Sequence, residues 1–309
     1  MRIGWRAAIR GMRRRMSRSA LALLSVLAAL LAATPAATAR PPVTGVRVTH
    51  GIVYGQGQVT RPQPGAFDLL LDLYEPVTKS QGRRPAVVLI HGGGFTGGSR
   101  ISPDLDRIAR ALAERGVVVA NIDYRVVPQG PVPSSRVAAL SASVPNAPIL
   151  VAQVAAVDDT LTAIDWLRAH ARQLRIHPQR LGLIGSSAGA ITADHVAYTL
   201  DEYGIGVPRI SFVGDLWGGI FFDVAAEAAQ LERGEAALFA VHGSADRTVP
   251  VFLDDRLVAR AQAVGVPVEY HRVEGAGHGF ASTGFFTREV APGQTAFDRM
   301  LAFAERYLR

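Results

Sequence analysis

The sequence predicts an α/β fold with a mostly parallel eight-stranded sheet and helices on both faces. Three observations predict it. Short apolar runs rich in Val, Ile and Leu alternate with longer helix-like segments from residue 86 onward, the rhythm of parallel strands crossed by helices. Several of these runs are followed at once by glycine-rich turns, so loops collect at strand ends. The first two candidate strands have no helix between them and are expected to form an antiparallel hairpin or edge.

In chain order the strand candidates are Val46–Val53, Phe67–Tyr74, Ala86–Ile90, Val117–Ile122, Leu181–Ile184, Ile210–Val213, Ala237–Val241 and Val268–Val273. The helix candidates are Pro103–Arg115, Leu150–His170, Ala188–Leu200, Val251–Ala263 and Thr295–Leu308. In such a fold the loops that carry chemistry gather at the carboxyl ends of the strands.

One of those loops is Gly185-Ser186-Ser187-Ala188-Gly189, between the apolar run Leu181–Ile184 and an Ala-rich helix. A G-x-S-x-G in that setting forms a sharp strand-to-helix turn that holds the serine hydroxyl out at the top of the sheet. Ser187 is the candidate nucleophile. The bland alternative is a Gly/Ser turn between two core elements. A second loop strengthens the first reading. His91-Gly92-Gly93-Gly94-Phe95 follows the run Ala86–Ile90 directly. Consecutive glycines leave the backbone free to adopt positive φ and to aim N–H groups at a developing oxyanion.

A serine nucleophile needs a base, and the base needs an acid that orients it. Four histidines follow Ser187: His195, His242, His271 and His278. His195 is expected on the helix after the turn, facing away. His242 stands at a strand end before Gly243, and His271 inside a strand. His278 lies in the loop Gly275-Ala276-Gly277-His278-Gly279-Phe280 and has the freedom to reach the serine. Asp246, in the loop His242-Gly243-Ser244-Ala245-Asp246, is the expected acid. Asp215, one strand earlier, is the competitor. Asp254 and Asp255 are expected on a helix, facing solvent.

His91-Gly92-Gly93-Gly94, Asp123-Tyr124-Arg125, Gly185-Ser186-Ser187-Ala188-Gly189, His242-Gly243-Ser244-Ala245-Asp246 and Gly277-His278-Gly279 resemble, in order and spacing, the α/β-hydrolase carboxylesterases. They are most similar to the HGGG-bearing esterase/lipase branch that includes secreted acetylxylan/feruloyl-type esterases. The resemblance spans residues 45 to 309. It implies an α/β-hydrolase fold and oxyanion N–H groups from Gly93, Gly94 and Ala188. The turn reads Gly-Ser-Ser-Ala-Gly where hormone-sensitive-lipase relatives usually have Gly-Asp-Ser-Ala-Gly. Tyr124-Arg125-Val126-Val127-Pro128-Gln129 only approximates their Tyr-Arg-Leu-Ala-Pro-Glu.

The chain start reads differently. Residues 1–39 hold seven arginines and no acid, then a mostly apolar run from Ala20 to Ala33, then Ala37-Thr38-Ala39. That is the layout of a secretory signal peptide cleaved near Ala39/Arg40, leaving residues 40–309 as a single catalytic domain, periplasmic or secreted. The run is shorter than the roughly 20 residues of a stable membrane span; a retained anchor is the alternative. Met12-Arg13-Arg14-Arg15-Met16 weakly resembles a twin-arginine signal. Of 33 basic residues, removing these seven leaves 26, against 26 acidic ones. The formal charge of +7 therefore belongs to the leader, and it supports no nucleic-acid or anionic-membrane partner. With no cysteine in the chain, disulfides and thiolate metal sites are excluded.

Two stretches look irregular, Val126 to Pro148 and Gly218 to Gly234, and neither is long enough for a large cap. Phe95, Trp217 and Phe280 are the expected substrate-binding aromatics; Phe221, Phe222, Phe285 and Phe286 also lie near strand ends. Together these residues imply a cofactor-free, metal-free ester hydrolase acting on a small-molecule or polymer-linked ester. A serine peptidase or amidase on the same fold is the first rival, and a catalytically dead binding protein the second.

Overall fold

The computed structural model describes residues 43–309, apart from 79–81, 221–229 and 281–283. The leader reading, and Phe221 and Phe222, lie outside the described residues.

Eleven strands and seven α-helices are described. The strands are β1 (Gly45–Val59), β2 (Gly65–Val77), β3 (Arg84–Ile90), β4 (Val118–Ile122), β5 (Pro131–Val132), β6 (Ile176–Ser186), β7 (Phe212–Leu216), β8 (Ala237–Gly243), β9 (Val268–Val273), β10 (Glu289–Ala291) and β11 (Gln294–Thr295). The helices are α1 (Pro103–Glu114), α2 (Ala138–Ser143), α3 (Pro148–Ala169), α4 (Ala188–Tyr198), α5 (Phe252–Val264), α6 (Gly284–Thr287) and α7 (Ala296–Tyr307).

The main sheet runs β5-β1-β2-β4-β3-β6-β7-β8-β9. Pairs from β4 through β9 are parallel. Those involving β1, β2 and β5 are antiparallel, as the missing helix between the first two strands implied. The chain leaves β3 for β4 on one side, and β6 later pairs with β3 on the other. A crevice opens outside the carboxyl ends of strands at such a reversal. It lies where β3 runs into His91 and β6 into Ser187.

Successive residues of β3 supply opposite cores, as the two-residue repeat of a strand requires. Ala86, Val88 and Ile90 pack in one cluster with α3 and α4; Val87 and Leu89 pack in the other with α1 and α7. Helix α1 starts with Pro103 in its first turn and buries Leu105, Ile108, Ala109, Leu112 and Ala113. That is the i, i+3, i+4, i+7, i+8 stripe of an amphipathic helix, and each large side chain contributes roughly 2 kcal/mol by burial. Helix α7 is started by Thr295, whose side chain takes the Asp298 N–H while Asp298 takes the Thr295 N–H, a capping box.

Three expectations need correction. The main sheet has nine strands among the described residues, not eight. The extra one, β5, lies in a stretch read as irregular, because two residues beside a proline carry no periodic signal. It is joined to β1 by the buried Arg125, whose Nη1 donates to the carbonyls of Gln58 (2.9 Å) and Val132 (2.8 Å). Its charge is met by Asp159 and Asp158 on α3. Strand β1 runs six residues past its expected end, through bulges near Thr49 and Val53 that break the alternation. Strand β6 starts at Ile176, through a polar His177-Pro178-Gln179-Arg180 segment with no strand pattern.

Candidate active site

Ser187 sits between β6 and α4 with φ 52° and ψ −120°, a region non-glycine residues rarely occupy. The crossing that forces this turn is tight. A Cβ on Gly185 would collide with the Gly189 carbonyl, and one on Gly189 with the Ile90 carbonyl. The glycines two before and two after the serine are therefore required by close approach rather than by flexibility. Ser187 N–H donates to the Leu216 carbonyl at 2.9 Å, which ties the turn to the end of β7.

His278 reaches this turn from the loop after β9. Its Nε2 lies 2.9 Å from Ser187 Oγ, and its Nδ1 lies 2.7 Å from Asp246 Oδ2. The imidazole is about a quarter exposed while the Asp246 carboxylate is enclosed. Asp246 Oδ1 accepts the N–H groups of Thr248 (2.8 Å) and Val249 (3.0 Å). Burial works to raise the Asp246 carboxyl, but the hydrogen bonds from His278, Thr248 and Val249 outweigh it and hold the group below the usual carboxylate range. An ionised Asp246 on Nδ1 fixes the tautomer in which Nε2 is free to take the Ser187 proton. The arrangement can deliver a deprotonated serine oxygen to an electrophilic carbon.

The loop after β3 lies against this turn. A Cβ on Gly92 would stand 2.9 Å from the Ser186 carbonyl and 3.2 Å from Ser187 Cβ. Gly93 and Gly94 take φ of 122° and 60°, and the Gly93 carbonyl accepts the N–H groups of Thr96 and Gly97, both at 3.1 Å. Ala188 opens α4, where first-turn N–H groups have no intrahelical acceptor. His91 is buried, stacked on Tyr124 at 4.2 Å, and within 2.6 Å of the Gly92 carbonyl. Burial lowers its pKa, so it braces the loop as a neutral ring. Arg100 ties the base of the same loop region to Asp72 and Asp123.

A cleft of about 420 Å³ opens here, lined by His91, Gly92, Gly93 and Ser186 on the polar side. Its apolar wall is Ile101, Leu105 and Ile108 at the start of α1, then Leu216, Trp217, Phe285 and Phe286. Trp217 also packs edge-on against His278, with ring centroids 6.4 Å apart.

The structure thus brings Ser187, His278, Asp246, Gly93, Ala188 and Trp217 to one place. Other assignments change. Phe95 does not line the cleft: it is buried and packs on Tyr124. Phe280 is also buried, behind Trp217 at 5.5 Å. In both, φ near +50° to +60° turns the backbone so that the ring faces the core. Asp215 bonds the Gly218 N–H and not His278. His195 is enclosed beside Thr199, where burial holds it down to about 3. His271 bonds Glu269 on its own strand. Asp254, expected to face solvent, is fully buried and bonds His242 Nδ1 at 2.8 Å. The sequence reading missed the α1 wall. Its one signal is Ile101, a three-quarters exposed apolar residue standing just before a helix-starting proline.

Among known proteins, residues 68–203 match the sequence model of the Carboxylesterase family. A fumonisin B1 esterase of Sphingopyxis macrogoltabida is 34% identical over 122 residues, 40% of this chain and 21% of that protein. Esterase LipI of Mycobacterium tuberculosis is 26% identical over 157 residues, 48% of this chain and 42% of the relative. The chain therefore spans less than half the length of either relative. Esterase 2 of Thermogutta terrifontis, solved phosphoramylated by tabun, superposes with a TM-score of 0.60 at 23% identity, covering 87% of this chain and 95% of that one. The chain has the α/β-hydrolase fold and is similar in sequence to carboxylesterases.

Proposed function

We propose that the chain hydrolyses carboxylic esters, with Ser187 as nucleophile, His278 as general acid–base and Asp246 as the orienting acid. The observation that carries this reading is the hydrogen-bonded series Ser187–His278–Asp246, at 2.9 and 2.7 Å, beside an open cleft. The match to the Carboxylesterase family covers β2 through α4 and supports the reaction class.

Ser187 Oγ attacks the ester carbonyl carbon as His278 Nε2 takes its proton. The oxyanion so formed is met by the N–H groups of Gly93, Gly94 and Ala188. The C–O bond to the alcohol breaks, and His278 returns the proton to the leaving oxygen. Water then adds to the acyl-serine by the same route, giving the carboxylic acid and free Ser187. Asp246 stays ionised throughout and stabilises the imidazolium.

The substrates in this reading are short-chain or polymer-linked esters, met outside the cytoplasm after removal of residues 1–39. The cleft leaves a bulky alcohol in solvent, and among the described residues no helical cap covers it. Purified protein should hydrolyse p-nitrophenyl acetate and be labelled at Ser187 by a fluorophosphonate, with anilides turned over far more slowly. Absence of both labelling and ester turnover would remove the reading; faster anilide cleavage would make it an amidase.

A further inference from the structure

Behind the Ser187–His278–Asp246 series stands a second, fully buried one. His242 at the end of β8 has its Nε2 2.9 Å from the Val249 carbonyl and 3.2 Å from Asp246 Oδ2, the oxygen that also meets His278. Its Nδ1 lies 2.8 Å from Asp254 Oδ2. From there the contacts continue inward. Asp254 on α5 lies against Asp215 at the end of β7, and Asp215 against Asp194 on α4, each pair close enough to interact directly. All four side chains are closed to solvent. Backbone donors reach one oxygen on each of the inner pair: Gly218 N–H on Asp215 Oδ1 at 2.7 Å, and Gly219 N–H on Asp194 Oδ2 at 3.2 Å. Asp194 Oδ1, Asp215 Oδ2 and Asp254 Oδ1 receive no N–H or hydroxyl from the described residues.

Two bare carboxylates cannot hydrogen-bond each other, since both only accept. Each acid-to-acid contact therefore needs a proton. The Asp254–His242 contact needs one as well. His242 Nε2 faces only acceptors, a carbonyl and a carboxylate, so it must carry a hydrogen. Four contacts thus require four protons. Three neutral carboxylic acids and one neutral imidazole hold that number; an Asp254 carboxylate with a His242 imidazolium would hold it too, but full burial of all four side chains disfavours separated charges and selects the neutral set. Its direction follows: Asp194 donates to Asp215, Asp215 to Asp254, Asp254 to His242 Nδ1, and His242 Nε2–H to Asp246.

We propose that Asp194, Asp215, Asp254 and His242 form an uncharged, proton-filled hydrogen-bond chain that positions Asp246 for its work on His278. The inference rests on the proposed ester hydrolysis for its kinetic readout. None of the four touches the reacting atoms; they are positioning residues that act through Asp246. Burial, the largest cause, raises all three carboxyl groups well above the ordinary carboxylate range, in keeping with protonated acids. The other ionisable groups facing the chain are Asp255 on α5, which adds repulsion at Asp254, and Tyr198 on α4, close to Asp194 and Asp215. His278 faces it through Asp246.

Two amide substitutions at His242 separate positioning from mere filling of space. A glutamine amide nitrogen reaches where Nε2 stands and can still donate to Asp246. An asparagine amide reaches only where Nδ1 stands. His242→Asn should lower kcat on p-nitrophenyl acetate by about 100-fold, the scale of a small misplacement at a reacting centre, with KM little changed. Its acid limb of kcat/KM should also move to higher pH, because an Asp246 that has lost a donor holds the His278 proton more tightly. His242→Gln should stay within about threefold of wild type, a minor loss of transition-state stabilisation, with the wild-type acid limb. A His242→Asn enzyme with wild-type rate and pH profile, or equal loss in both variants, would overturn the proposal. Neutrality has its own test. Asp254→Asn keeps a donor to His242 Nδ1 and an acceptor for Asp215, so its rate should match wild type; a loss as deep as in His242→Asn would mean an ionised Asp254 holding an imidazolium. Nitrogen-15 NMR of histidine-labelled protein at pH 7 should show His242 with hydrogen on Nε2 alone, and two protonated nitrogens would overturn the scheme. That spectrum reads the chain even in a protein that turns over no ester, so failure of the hydrolase reading and failure of this one are told apart.

Discussion

His278 and His242 have nearly the same surroundings. Each has an aspartate oxygen on Nδ1, at 2.7 and 2.8 Å, and an oxygen 2.9 Å from Nε2. Two differences separate the proposed base from the proposed brace. The oxygen facing His278 belongs to a hydroxyl, which has a proton to give; the one facing His242 belongs to a carbonyl, which has none. The His278 ring is also about a quarter exposed, and the His242 ring is sealed. An Asp–His pair is therefore no mark of catalysis by itself. What matters is which atom completes it and whether a substrate can reach that atom.

The deepest break in the comparison comes from removing the hydroxyl. Ser187→Ala leaves His278 facing no proton donor and should cost at least about 10⁴-fold in kcat, the scale seen when a triad member is lost. The fold should be unaffected, since the side chain is partly exposed at a turn. Retention of a tenth of the wild-type rate would move the nucleophile elsewhere.

Asp246→Asn attacks the other side of the same ring. An amide can present an N–H to Nδ1 and stabilise the wrong tautomer, so a loss approaching 10⁴-fold is expected. Asp215→Asn lies three residues farther along the buried chain, retains a donor and an acceptor, and should cost less than about tenfold. Steady-state kinetics of the two variants side by side would decide it, and the reverse order would make Asp215 the orienting acid.

The exposure difference is sharpened by an acyl-length series. Esters with acyl chains of about two to six carbons should give the highest kcat/KM. Each further methylene yields its ~0.8 kcal/mol only when covered by apolar surface, and the described cleft wall covers one side. A steady climb from butyrate to palmitate would point to a lipase groove along Phe285 and Phe286.

The smallest effect concerns the aspartates behind the two rings, which are linked to stability with opposite sign. Asp246 has its pKa lowered in the folded state, so its contribution is present above the unfolded value near 3.9 and is lost as pH falls through the folded one. Asp194, Asp215 and Asp254 have theirs raised by burial. The folded chain keeps protons that the unfolded chain releases above about pH 4, so their contribution falls as pH rises from there. Calorimetry from pH 5 to 8 should therefore show a declining Tm. Asp215→Asn, which cannot ionise, should flatten that decline: each pH unit over which Asp215 stays protonated in the fold is worth about 1.4 kcal/mol, a few degrees of Tm in a domain of this size. An identical slope would mean that Asp215 is ionised in the folded protein.

Much of this molecule is written locally. The apolar runs at β3, β4, β6 and β8 place the sheet, because a strand buried on both faces must be apolar along its length. The glycines around Ser187 declare a close crossing, and those beside His278 a loop free to travel to it. Position on the loop after the strand that precedes the one leading to His278 favours Asp246 over Asp215, and Asp246 Oδ2 lies 2.7 Å from His278 Nδ1. Other features have no local signature. Whether Phe95 and Phe280 face substrate or core is decided by backbone turns at positive φ and by Tyr124 and Trp217, which come from distant segments. Strand β5 exists because Arg125 bridges it to β1 across 67 residues of sequence. Asp254 looks like a solvated residue at a helix start until β7, β8 and α4 close over it. Burial is a property of everything packed around a side chain, and partners drawn from three separate elements leave no periodicity in the one that carries it.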